Sequence, residues 1–126
     1  MTKAPYHHGD LRRAMLQAAG RIIDSDGLSA LSLRACARTA GVSHAAPAHH
    51  FGDLRGLMTA LAAESFAALT ARTEAVRVDH ADRPSEVFGA LGQVYARFAQ
   101  DKPGRFRLMM RRDLVDFDDP DLRKQA

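Results

Sequence analysis

The chain holds no tryptophan, a single cysteine and few aromatic residues, and each shortage narrows its chemistry. One thiol, Cys36, excludes an internal disulfide framework and any zinc site built on several cysteines. No apolar run is long enough to span a bilayer. The best, Leu57 to Ala71, is short and interrupted by Glu64. The N-terminus, Met1-Thr-Lys-Ala-Pro-Tyr6, lacks the apolar stretch of a signal peptide, so the expectation is a cytoplasmic protein without membrane contact. No Gly-rich phosphate loop and no catalytic constellation occurs, and an enzyme reading has no residue support. What remains is 126 residues, 46% hydrophobic and 26% charged, enough to fold around a core.

The charge is unevenly spread. Residues 1–52 carry Lys3, Arg12, Arg13, Arg21, Arg34 and Arg38 against Asp10, Asp24 and Asp26, six minus three. Residues 53–126 carry twelve of each sign and balance. The basic surplus, with His7, His8, His44, His49 and His50, therefore lies in the N-terminal part, where an anionic partner is expected.

Periodicity predicts helices throughout, and no alternating strand pattern is present. Leu11, Met15, Ala18 and Ile22 mark a first helix over 10–26, with Gly27 as its left-handed stop and Leu28 folding back over it. Ser32 is the expected cap of a second helix over 33–40, with Leu33, Cys36 and Ala37 inward. Ala40-Gly41-Val42-Ser43 reads as a tight turn with Val42 as a buried plug. Ser43 is expected to cap a third helix over 44–50. A long helix over 54–77 follows. After a polar linker, Pro84 opens another, with Val87, Phe88, Leu91, Val94, Tyr95 and Phe98 as its expected buried stripe. Pro103-Gly104 breaks it before a short helix, and Asp118-Asp119-Pro120 starts a new one. The acidic group Asp113, Asp116, Asp118, Asp119 and Asp121 reads as a solvated loop. The expected fold is all-α: an N-terminal three-helix bundle with a helix-turn-helix over 1–52, then part of a helical ligand and dimerisation domain over 53–126.

Two short helices about a Gly turn, braced by a third, have the shape that fits a major groove, although any small bundle can contain one. The residues sharpen the reading. Tyr6-His7-His8-Gly9-Asp10-Leu11-Arg12, Leu31-Ser32-Leu33-Arg34-Ala35-Cys36-Ala37-Arg38, Ala40-Gly41-Val42-Ser43, His49-His50-Phe51-Gly52-Asp53 and Gly56-Leu57 resemble the tetracycline-repressor (TetR) family of bacterial transcription regulators. The opening and the stretch Gly41 to Phe51 resemble one subgroup. Ala90 to Phe98, Pro103 and Phe106 to Met109 are similar to that subgroup's C-terminal domain. The resemblance implies a homodimer that grips operator DNA with its N-terminal helices and is released by a small hydrophobic effector. It also implies a C-terminal domain extending well past Ala126, which makes the chain resemble a truncated protein.

On that reading His44, Ala45, Pro47 and Ala48 approach base edges, the proline and alanines offering small apolar contacts to thymine methyls. Lys3, Arg34, Arg38, Ser43, His49 and His50 hold the backbone. Two positions depart from the family. Its recognition-helix Tyr is Ala48 here, and its Lys at the start of the fourth helix is Leu54, with Arg55 beside it. Both family residues touch phosphates, so His49 and Arg55 are expected to compensate. Because imidazoles gain charge as pH falls, binding is expected to strengthen in that direction.

Blander readings stand beside these. A solvated helix face accounts for Arg34 and Arg38 equally well. His49 and His50 follow His44 by five and six positions, which one helix face cannot present together, so no metal site or cofactor is expected. Cys36 reads as a core filler rather than a redox switch. Phe66, Phe88, Leu91, Tyr95, Phe98, Phe106, Met109 and Met110 read first as core and secondarily as an effector pocket. The alternative function, of another class, is a helical small-molecule-binding or interaction protein whose DNA binding is weak or lost.

Overall fold

The computed structural model describes residues 8–126; Lys3 and the start of the Tyr6 to Arg12 motif lie outside them. The fold is all-helical, and no strand occurs among the described residues. Helix α1 spans His8–Asp26, followed by a single 3-10 turn at Leu28–Ala30. Then come α2 (Leu33–Ala40), α3 (Ala46–Phe51), α4 (Leu54–Asp79), α5 (Pro84–Asp101), α6 (Pro103–Met109) and α7 (Pro120–Gln125).

Local chemistry sets most of these boundaries. The Ser32 hydroxyl accepts from Ala35 N–H at 3.0 Å and caps α2. Gly41, at φ 72° and ψ 34°, ends α2 in the left-handed region that Gly enters without a Cβ penalty. Gly27 follows α1 with the positive φ that favours glycine, 94°, but its ψ of 167° lies outside the left-handed helical cap expected. The Asp53 carboxylate accepts from Gly56 N–H at 2.8 Å and starts α4. Asp119 accepts from Asp121 and Leu122 N–H and starts α7, with Pro120 in its first turn.

Helix α4 is the axis of the molecule. It packs against α1, α3, α5, α6 and α7, while α1 also holds α2 and α6. The main core joins Met15, Leu16 and Ile23 of α1, Cys36 of α2 and Leu57 and Leu61 of α4 to Leu108, Val115 and Leu122. This core runs through both sides of the expected boundary at 52/53. A smaller cluster of Leu69, Phe98 and Met109 lies farther along α4. Beyond it, from residue 70 to 97, no side chain is fully buried.

Two glycines bring the N-terminal helices and α6 into close contact. A Cβ on Gly104 would collide with the Ile23 carbonyl, and one on Gly20 with the Arg105 guanidinium. Arg105 N–H donates to Asp24 Oδ1 at 3.0 Å. Its Nε lies 3.2 Å from Asp24 Oδ2, an ion pair outside hydrogen-bond geometry, with both side chains under a fifth exposed.

Two expectations require correction. The α5 stripe is not buried: Phe98 is, but Phe88 is 88% exposed and Tyr95 46% exposed. The side of α5 packed on α4 carries Phe98 and Val94 against Leu69, while Phe88 and Tyr95 point outward. Nor is the acidic stretch simply a solvated loop. Val115 is buried, and Asp116 N–H donates to the Thr59 hydroxyl at 3.0 Å, which straps the segment onto α4.

Candidate nucleic-acid interface

The helix-turn-helix divides its residues by depth. Cys36 and Ala37 of α2 and Ala46 and Pro47 of α3 are buried and seat the motif on α1 and α4. Arg34 and Arg38, four residues apart, stand exposed on the outer side of α2. Neither is paired with another described residue. Ser43, His44 and Ala45 are exposed in the turn, and Ala48 and His49 are exposed on α3. Ala45, Ala48 and His49 follow the three- and four-residue steps of one helical face. The exposed surface is thus two guanidiniums flanking small and imidazole side chains, suited to phosphate contact beside close apolar approach.

Several expected site residues sit elsewhere. Pro47 is fully buried and does not reach a base edge. Helix α3 begins at Ala46, not at 44, so the ring lies in the first turn, where a missing N–H costs little, and faces the core. Ser43 makes no side-chain cap; its carbonyl accepts from Ala46 N–H at 3.1 Å. The hydroxyl is therefore not committed to helix α3. Arg55 is turned toward the strap, where Nη1 and Nη2 donate to the carbonyls of Asp113 and Val115 at 3.3 and 3.4 Å. His50 is half-buried. Its ring meets His49 edge-on at 5.5 Å and lies 6.2 Å from Phe51, a packing place at the hinge between α3 and α4. Lys3 lies outside the described residues. Val42 is half-buried rather than a closed plug.

Arg12 is a residue whose role the sequence reading missed. Its guanidinium lies over the Phe51 ring, 4.8 Å from the centroid, and ties α1 to the end of α3. The sequence signal was available in the resemblance motifs, which end on Arg12 and contain Phe51, but only the fold brings the two together.

The expected effector-pocket residues do not share one cavity. Phe98 and Phe106 meet at 6.4 Å beside buried Met109, a packed cluster. Phe66 stacks edge-on with Phe117. Phe88, Tyr95 and Met110 are exposed and Leu91 half-buried, so none of them closes a pocket. The reason is the one that opens the α5 stripe: no described element covers that face. A cleft of about 450 Å³ lies instead between α4 and α5, lined by none of these eight. A second cleft, about 380 Å³, lies between the α3–α4 junction and the strap. Among the described residues, no three His, Cys, Asp or Glu side chains group as metal ligands, and no helix is long and apolar enough to cross a membrane.

No family model matches the chain, and comparison with curated proteins returned no match. Among solved structures, the chain is similar to a protein with unknown function from Rhodococcus sp. RHA1, at 37% identity and a TM-score of 0.80. The match covers 98% of this chain and 63% of that one, so the chain spans less than two thirds of that protein's length.

Proposed function

We propose that the chain is a cytoplasmic DNA-binding transcription regulator of the TetR kind, a repressor that grips operator duplex as a homodimer and is released by a small molecule. The observation that carries the reading is the outer face of the helix-turn-helix. Arg34, Arg38, Ser43, His44, Ala48 and His49 are all exposed while the residues beneath them are buried. The resemblance of residues 6–58 to the family supports it independently. The two arginines serve as phosphate clamps, and His44, Ala45 and Ala48 as the base-edge surface. Selection from a random duplex pool tests this. One enriched, two-fold symmetric sequence is expected, with half-sites about one DNA turn apart. A pool with no enrichment contradicts it.

The alternative, a helical ligand-binding or interaction protein with weak DNA binding, is favoured by one observation. Of the family's two phosphate-contacting positions, one is Ala48 and the other the half-buried Leu54, while neighbouring Arg55 is engaged by backbone carbonyls. Unenriched selection together with saturable ligand binding would support it.

A further inference from the structure

The cleft between α4 and α5 has an unusual charge inventory. Its apolar lining is Val76, Ala90, Val94 and Ala96, and its polar groups are His80, Gln93, Arg97 and Gln100. No carboxylate lines it. Arg97 is paired with no other described residue. His80 is anchored locally. Its Nδ1 is 3.0 Å from the Val76 carbonyl, so the imidazole is pinned to its own helix. The cleft therefore offers one guanidinium, one imidazole, neutral amides and a strip of aliphatic wall in about 450 Å³. An acidic head group gains charge-assisted hydrogen bonds from Arg97, while a tail covers Val76, Ala90 and Val94. Arg97 is the lining's one permanent cation and balances one negative charge, which favours a monoanion over a phosphate dianion.

We propose that this cleft is a binding site for a small monocarboxylate with a short aliphatic tail. The assignment deepens the effector part of the function proposed above. It rests on the cleft and does not require the DNA face. It also differs from the sequence expectation, which looked for the effector among the aromatic and methionine side chains.

The test titrates octanoate, octylammonium and octanol into the full chain without DNA, by calorimetry and by backbone amide shifts. Octanoate is expected to saturate at one site, shifting Val76, Ala90 and Val94. Arg97→Gln is expected to weaken it about tenfold, with Arg97→Lys intermediate. Because Arg97 is exposed, its variants are expected to melt as the parent chain does, and a melting curve checks this. Octylammonium or octanol binding as tightly as octanoate overturns the assignment. So does octanoate binding unchanged by Arg97→Gln, shifts confined to Phe88 and Tyr95, or no saturation. A parallel duplex-binding assay separates the two claims. Octanoate saturation without DNA binding supports the cleft and sinks the regulator reading. DNA binding without octanoate saturation sinks the cleft alone.

Discussion

At Cys36 the side chain is fully buried, and its Sγ–H donates to the Met15 carbonyl at 3.3 Å. Burial pushes the thiol up to about 11 from an ordinary 9.0. The thiolate is the reactive form, so this residue is chemically quiet as well as structurally committed. A folded pKa above the unfolded one stabilises the native state fully below pH 9. That contribution is lost as pH rises through about 11. Iodoacetamide at pH 8 is therefore expected to leave Cys36 unmodified in the folded chain and to label it only with denaturant present. Stoichiometric labelling of the native chain, read by mass spectrometry, contradicts this. Pro47 teaches the opposite lesson about single residues. It was expected to offer a small apolar contact to a base edge, but α3 begins at Ala46 and the ring is fully buried.

Among the helices, capping separates two serines that the sequence treated alike. Ser32 caps α2 through Ala35 N–H, whereas Ser43 makes no side-chain bond to α3. Ser32→Ala is expected to lower stability by about 1 kcal/mol in urea unfolding, and Ser43→Ala to leave it nearly unchanged. Equal losses from both would mean that Ser43 does cap. On the DNA-binding reading, Ser43→Ala instead weakens duplex affinity. The helix inventory itself was legible in the sequence, because Pro, Gly, Asp and Ser punctuate it. Pro84, Pro103 and Pro120 each open a helix, and Gly41 and Gly52 each follow one. The Ser32 and Asp119 caps and the exposed Arg34 and Arg38 followed from the same local rules. Which face of α5 is covered was not legible. Its apolar residues occupy more than one side, and only the placement of α4 and α6 decides that Phe98 goes in and Phe88 stays out. The strap over α4 was hidden for a similar reason. Its anchors, Thr59 and Arg55, lie more than fifty residues before it.

For the molecule as a whole, the exposed apolar face and the shared core matter most. Phe88, Leu91 and Tyr95 follow the three- and four-residue steps of one α5 face, and Val78 and Met110 are exposed as well. A monomer rarely leaves such side chains uncovered together. The chain is expected to bind a hydrophobic dye in its native state and to self-associate, with sedimenting mass rising with concentration. Phe88→Ser combined with Tyr95→Ser is expected to reduce both. A concentration-independent monomer that excludes the dye contradicts this account of α5. The shared core has a different consequence. Because Leu108, Val115 and Leu122 pack with Met15 and Cys36, unfolding is expected to be one transition rather than two.

On the proposed reading, the outer face of the helix-turn-helix holds DNA phosphates through Arg34 and Arg38. The most direct measurement is the salt dependence of affinity for the selected duplex, by fluorescence anisotropy, for the parent chain and for Arg34→Ala with Arg38→Ala. The logarithm of the association constant is predicted to fall linearly with the logarithm of salt concentration. The double variant should bind more weakly, with a slope shallower by about two per protomer. Affinity that ignores salt, or a double variant with the parent's slope and affinity, would contradict the account.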